Sequence, residues 1–381
     1  MLEYLDGAIA EALIKARTLK AKIPGSTLLI DFEALATRAN SEIDAAISQL
    51  MTLDQDPVYG IPANLKQKIL LYRQIVGSLS ILENVVVAAI ARSHSDDAYV
   101  NRLVRGICRE IDYPIQKPVA SCLSQSYYHI YSGYGLLCMP LLESDFLLHI
   151  ADIYHELCHP LIQLDNPKLE LFQLELGKFN VFVKRHFRDE IAHFTQNTSR
   201  KDMIEMLYLW RDCWIEKWSV EFFCDLFGVY TLGPAYAWSN LHLCLKTSTD
   251  VYDVPQYVVT SHPPDEARMQ VLFHALQLLG YPEDNAQIEA KWTEFKTTMQ
   301  FTKQAEYDYA VPDLLLEHIA VSAYNAVNLL PCRLAEPDKQ GSIAVMLNQA
   351  WSIFWQDPAA FTTWEQVTVN SFKASLLAGS S

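Results

Sequence analysis

Apolar residues return at helical spacing through most of this 381-residue chain, and that period limits the fold to packed helices with little sheet. EALIKARTLKAKI, IDFEALATRANSEIDAAISQLM and LKQKILLYRQIVGSLSILENVVVAAIARS each carry such a stripe. Turn signals separate them at Pro24–Gly25 and across Asp56, Pro57 and Gly60, and Ser93 to Asp97 reads as a polar loop. Only SCLSQSYYHIYSGYGLLCMPL, within residues 118–142, has the Tyr- and Ile-rich composition of strands. A helix apolar on most sides follows, with Ser144 as its N-cap, Asp145 in its first turn and an end or kink at Pro160. A long helix is expected from Lys201 to Phe227, closed by Gly228 and Gly233–Pro234. The expected fold is α+β and predominantly helical, with a small β-sheet.

Composition narrows the function classes. Half the residues are hydrophobic, enough for a sizeable core. A net charge of -15 repels phosphate backbones, and no Lys/Arg run offsets it, so no nucleic-acid partner is expected. The eight cysteines form no CxxC pair and sit mostly in apolar stretches, as buried thiols of a reducing compartment do. The N-terminal segment has its acids before its basic residues, the reverse of a secretory signal. No run of about 18 uncharged apolar residues occurs, so no membrane span is expected, and the expected location is cytoplasmic.

Residues 155–159 read His-Glu-Leu-Cys-His. On a helix, His155 and His159 share one face a turn apart and can share a metal ion. Glu156 beside them can take a proton from water at the ion's open position. Buried without such a role, two imidazoles and a carboxylate would be costly. A catalytic zinc site needs a third protein ligand, and WSVEFFCDLFG offers Glu221 and Asp225, four apart on an apolar stripe. Glu221 completes a His2Glu set, and Asp225 then holds the second nitrogen of a ligand imidazole, His155. Glu216 is the rival ligand, but it lies beside Lys217 in a more polar stretch. Cys158 points partly away from the His155 face and reads as a packed thiol.

HELCH, then EFFCD, then SHPPDEARMQVL together resemble the gluzincin metallopeptidases, and within them the Ste24/HtpX/Oma1-like group, peptidase family M48. The resemblance spans roughly residues 120 to 275. It implies a zincin-like core, one zinc per chain, and hydrolysis of a peptide or protein substrate. It also implies that the strand region near Tyr131, Gly133, Tyr134 and Gly135 binds substrate backbone as an added strand. An ordinary core strand explains the same residues. His262 invites a role as oxyanion stabiliser, or as a cap for the helix that follows. Arg268 can pair with Asp265 or Glu266, or brace Asp225 or Glu221. Family members are often membrane proteins, and Cys158 stands where Gly or Ala is common, so membrane attachment and substrate preference do not carry over.

The expected division is a helical region over 1–117, the metallopeptidase core over 118–300 and a helical region over 301–381, the flanks being available to a regulatory partner. Two other functions fit the motif: a catalytically silent zinc-binding interaction protein, and a zinc hydrolase acting on another carbonyl. Glu156 separates the silent site from the enzymes, because a structural site has no use for it.

Overall fold

The helical spacing becomes sixteen α-helices, and the Tyr-rich stretch three short strands, among the residues that the computed structural model describes: 2–24, 30–93, 95–124, 127–141, 146–197 and 201–378. The chain divides into two compact units. One comprises Met1–Arg102 with Pro118–Pro140, the other Leu103–Lys117 with Leu141–Ser381. These bounds differ from the expected cuts at 117 and 300. The strands join the N-terminal helices because their apolar residues share that core, and the segment after 300 packs within the second unit.

The first unit contains α1 (Leu2–Ala21), α2 (Glu33–Gln55), α3 (Leu65–Ile81), a π-helical turn Leu82–Val87, α4 (Ala88–Ala91) and the start of α5 (Ser95–Glu110). Along α2, Leu35, Ala36, Ala39, Ile43, Ala46, Leu50 and Leu53 are buried at three- and four-residue spacing, and each fully buried Leu or Ile contributes roughly 1.5–3 kcal/mol. Lys68, nearly inaccessible, is compensated by Asp6 at 2.6 Å. Strands β1 (Val119–Ser121), β2 (His129–Tyr131) and β3 (Leu136–Cys138) form a sheet in the order β1-β3-β2, with β1 parallel and β2 antiparallel to β3. The free side of β1 is covered by side chains of α5. Asn101 donates to the Ala120 carbonyl at 2.7 Å and accepts from its N–H at 2.8 Å, and Asp97 accepts from the Cys122 N–H at 2.8 Å. An amide thus stands in for a neighbouring strand.

The helical run Pro62–Ala91 is the one candidate span among the described residues. It is long and apolar enough to cross a membrane, with mean hydropathy 1.7 over an 18-residue window of which 39% is buried. Glu83 and the polar residues around it hid this run from a search for uncharged stretches. Core helices reach the same values, and Ile75, Leu79, Leu82 and Val86 of this run lie in the core.

The second unit is built around α9 (Ser219–Leu232), whose residues Phe222 to Leu232 are all buried. It packs against α6 (Asp152–Gln163), α11 (Asp265–Leu279) and α14 (Asp313–Asn328). Around these lie α7 (Glu170–Asn197), α8 (Lys201–Cys213), α10 (Pro234–Thr247), α12 (Pro282–Met299), α13 (Ala305–Ala310), α15 (Ser342–Gln356) and α16 (Pro358–Ala378). The long helix expected from Lys201 is α8 and α9 joined by a π-helical turn, Trp214–Trp218. The Trp214 carbonyl accepts from both the backbone N–H of Ser219 and its buried hydroxyl, the latter at 2.7 Å.

Three details of the expected helices are corrected. Before α6 the chain makes a 3-10 turn, Leu147–His149, rather than continuous helix; it is held by the Leu147 N–H donating to Glu365 at 2.8 Å. The proposed cap, Ser144 with Asp145, lies outside the described residues. Pro160 sits inside α6, which continues to Gln163, because the buried face formed with Ile153, Leu157 and Leu161 outweighs one missing hydrogen bond. Gly228 does not end α9: a Cβ there would lie 2.5 Å from the Tyr236 ring. The break comes at Gly233, where φ is +84° and Pro234 starts α10.

Candidate metal centre

Two helices bring the predicted ligands together. Packing of α6 on α9 places His155 and His159 opposite Glu221, Cys224 and Asp225. The Glu221 carboxylate lies 3.4 Å from Nε2 of His155. Nδ1 of the same imidazole lies 2.9 Å from Asp225 Oδ1, as expected for Asp225. One ring nitrogen is therefore engaged by an orienting carboxylate, and the other faces a second carboxylate, the arrangement of a histidine directed at a metal. Glu156 is buried one residue after His155. Glu216 is exposed in the π-helical turn, as its polar surroundings suggested.

Asp225 has no solvent exposure and four hydrogen bonds. Arg268 Nε donates to Oδ2 and Nη2 to Oδ1, both at 2.7 Å, and the Tyr236 hydroxyl donates to Oδ1 at 2.7 Å. Burial pushes the Asp225 carboxyl pKa up, but Arg268 and the hydrogen bonds outweigh it and hold the group well below the carboxylate range. The four partners left open for Arg268 resolve to Asp225. Asp265 accepts from the Ser248 hydroxyl instead, and Glu266 accepts from the Trp292 indole at 2.7 Å and from Lys296 at 2.8 Å. Burial likewise raises Glu221, and the His155 partner more than offsets this and lowers it. Burial alone would depress His155, yet its hydrogen bonds to the Asp225 and Glu221 carboxylates raise it well above its usual value.

His262 reaches the site from the loop between α10 and α11. Two buried indoles anchor that loop: Trp210 donates to the Pro255 carbonyl at 2.9 Å and Trp218 to the Thr260 hydroxyl at 3.1 Å. His262 Nε2 then lies 3.6 Å from Glu221 Oε2, while its Nδ1 is 2.8 Å from the Ser261 hydroxyl. Its side chain is 61% exposed, so it belongs to the open side of the site. Pro264, not His262, occupies the cap position of α11.

No known protein family, characterised protein or solved structure matches this chain. Assignment of the centre therefore rests on its own geometry and donor chemistry. His155, His159 and Cys224 present ligand atoms all within 4.8 Å of one another, a group that can hold a metal ion. The Glu221 carboxylate is not one of that group of three, but its oxygen facing His155 Nε2 offers an oxygen donor beside it.

Sequence reasoning missed two contributors. Cys224 was assigned to the packed thiols, but its sulfur lies 3.6 Å from His159 Nδ1. Tyr236 had no signal except its spacing from Gly228, the glycine that lets its ring approach α9. Cys158 is a packed thiol as expected, donating to the Phe223 carbonyl at 3.6 Å. No disulfide joins any of the eight cysteines.

Tyr131, Gly133, Tyr134 and Gly135 belong to the first unit, and the two tyrosines pack against its core. Tyr134 lies beneath the Arg38 guanidinium at 5.4 Å and hydrogen-bonds Glu42; burial pushes its hydroxyl up to about 12. A Cβ at Gly133 or Gly135 would meet nothing within 4 Å. Gly135 is needed for its φ of +59°, which turns the chain into β3.

Proposed function

We propose that this protein is a zinc-dependent metallopeptidase of the gluzincin type, binding one zinc per chain through His155, His159 and Glu221. The observation that supports this reading best is the doubly engaged imidazole of His155, with Asp225 at 2.9 Å on Nδ1 and Glu221 at 3.4 Å on Nε2. A purely structural pair of histidines needs neither carboxylate.

Zinc, when bound, supplies a Lewis acid that polarises the scissile carbonyl and acidifies water. Glu156 accepts the proton of the attacking water and passes it to the leaving amine. His262, on the exposed side, donates a hydrogen bond to the oxyanion that develops on the substrate carbonyl. Asp225, clamped by Arg268 and Tyr236, fixes the orientation of His155 so that little reorganisation accompanies the reaction.

The proximity of Cys224 to both histidines favours one second reading, a catalytically silent metal site within an interaction protein. Glu156→Gln separates the two. The peptidase reading predicts unchanged metal content with hydrolysis of a denatured protein substrate reduced about 10²- to 10⁴-fold, the usual contribution of a general base. Undiminished hydrolysis in that variant contradicts the mechanism. No hydrolysis by the wild type, with metal bound, favours the silent site.

A further inference from the structure

We infer that Cys224 is a positioning residue of the metal centre, holding His159 by Nδ1 as Asp225 holds His155; the inference rests on the metal-site reading above. Helix α9 presents Glu221, Cys224 and Asp225 over one turn to the two histidines of α6. Consecutive residues on a helix diverge by about 100°, so Cys224 and Asp225 can address different imidazoles. The distances agree with that division. Asp225 Oδ1 meets His155 Nδ1 at 2.9 Å, and Cys224 Sγ meets His159 Nδ1 at 3.6 Å.

An imidazole held at Nδ1 has only Nε2 left for an ion. With both rings held in this way, both histidines bind through the same nitrogen. Were Cys224 itself the ligand, its sulfur would take the place opposite His159 Nδ1 and leave Glu221 superfluous, although Glu221 is the group that faces His155 Nε2 at 3.4 Å. A thiol suits the position: it is compact, and the position is fully buried. A second carboxylate there would add a buried charge with no Arg268 to balance it.

The test uses the full chain with cobalt(II) in place of zinc, and three forms: wild type, Cys224→Ala and Cys224→Ser. A thiolate ligand gives cobalt an intense sulfur-to-metal charge-transfer band in the near ultraviolet; nitrogen and oxygen ligands do not. The positioning role predicts no such band in the wild type. It also predicts metal affinity lowered about 10- to 100-fold in Cys224→Ala, as for other groups that orient metal ligands, and largely restored in Cys224→Ser, whose hydroxyl can still engage Nδ1. Circular dichroism of the three metal-free forms shows whether each has kept its fold. A charge-transfer band lost in Cys224→Ala would make Cys224 a ligand and overturn the inference. Equal affinity in wild type and Cys224→Ala would overturn it too, leaving the metal site intact. A wild type that binds neither cobalt nor zinc removes the metal reading and this inference together, a result distinct from the other two.

Discussion

Asp225 is the residue on which the centre depends most. It is a fully buried carboxylate that meets Arg268, Tyr236 and His155 at 2.7 to 2.9 Å. Breaking a buried ion pair from one side leaves an uncompensated charge, so Arg268→Met is expected to cost about 3–5 kcal/mol, measured by urea denaturation. Tyr236→Phe removes one donor to a charged acceptor and is expected to cost about 1.5–3 kcal/mol in the same measurement. Glu221→Ala should lower zinc content, and full occupancy in that variant would mean another third ligand. Part of this centre was legible in the residues. His155, Glu156 and His159 announce themselves by spacing, and Glu221 with Asp225 stand out as two carboxylates on an apolar stripe. Arg268 was not decidable, because Asp265 and Glu266 are nearer in sequence; only their capture by Ser248, Trp292 and Lys296 leaves Arg268 to Asp225. Cys224 was hidden because a thiol among aromatic residues looks like packing.

At the scale of elements, the centre depends on how α9 is entered and left. The π-helical turn Trp214–Trp218 inserts an extra residue and so rotates the helix that follows by about 100° relative to an uninterrupted one, setting which face carries Glu221 and Asp225. Nothing in the amino-acid pattern marks that insertion, since Trp214, Trp218 and Phe222 read equally well as an ordinary apolar stripe. Gly228 and Gly233 were both legible as breaks, but they do different things. Gly233 turns the chain, whereas Gly228 only makes room for Tyr236 arriving from α10. Gly228→Ala is therefore expected to destabilise by about 1–3 kcal/mol, because the ring at 2.5 Å must move. It should also weaken metal binding, since the displaced ring carries the hydroxyl that reaches Asp225. Unchanged stability by thermal denaturation would show that α10 shifts freely.

For the molecule as a whole, the mainly helical composition and the small sheet follow from the period of the apolar residues, while the partition into two units does not. Residues 118–140 read as part of a metallopeptidase core, yet Leu136 and Cys138 bury among α1, α2 and the helices that follow them. Local pattern shows that a strand forms; it does not show which helices will cover it. The proposed metal ligands all lie in the unit formed by Leu103–Lys117 and Leu141–Ser381. Ligand linkage then predicts that zinc at a thousand times its dissociation constant stabilises that unit by about 4 kcal/mol. Amide hydrogen exchange should show the added protection in α6, α9 and α11.

The most direct measurement is the metal content of the purified chain and of His155→Ala by elemental mass spectrometry. The account predicts about one zinc per chain in the wild type and a loss of most of it in the variant. No metal in wild-type protein prepared without chelators, or an equal amount in both forms, would contradict it.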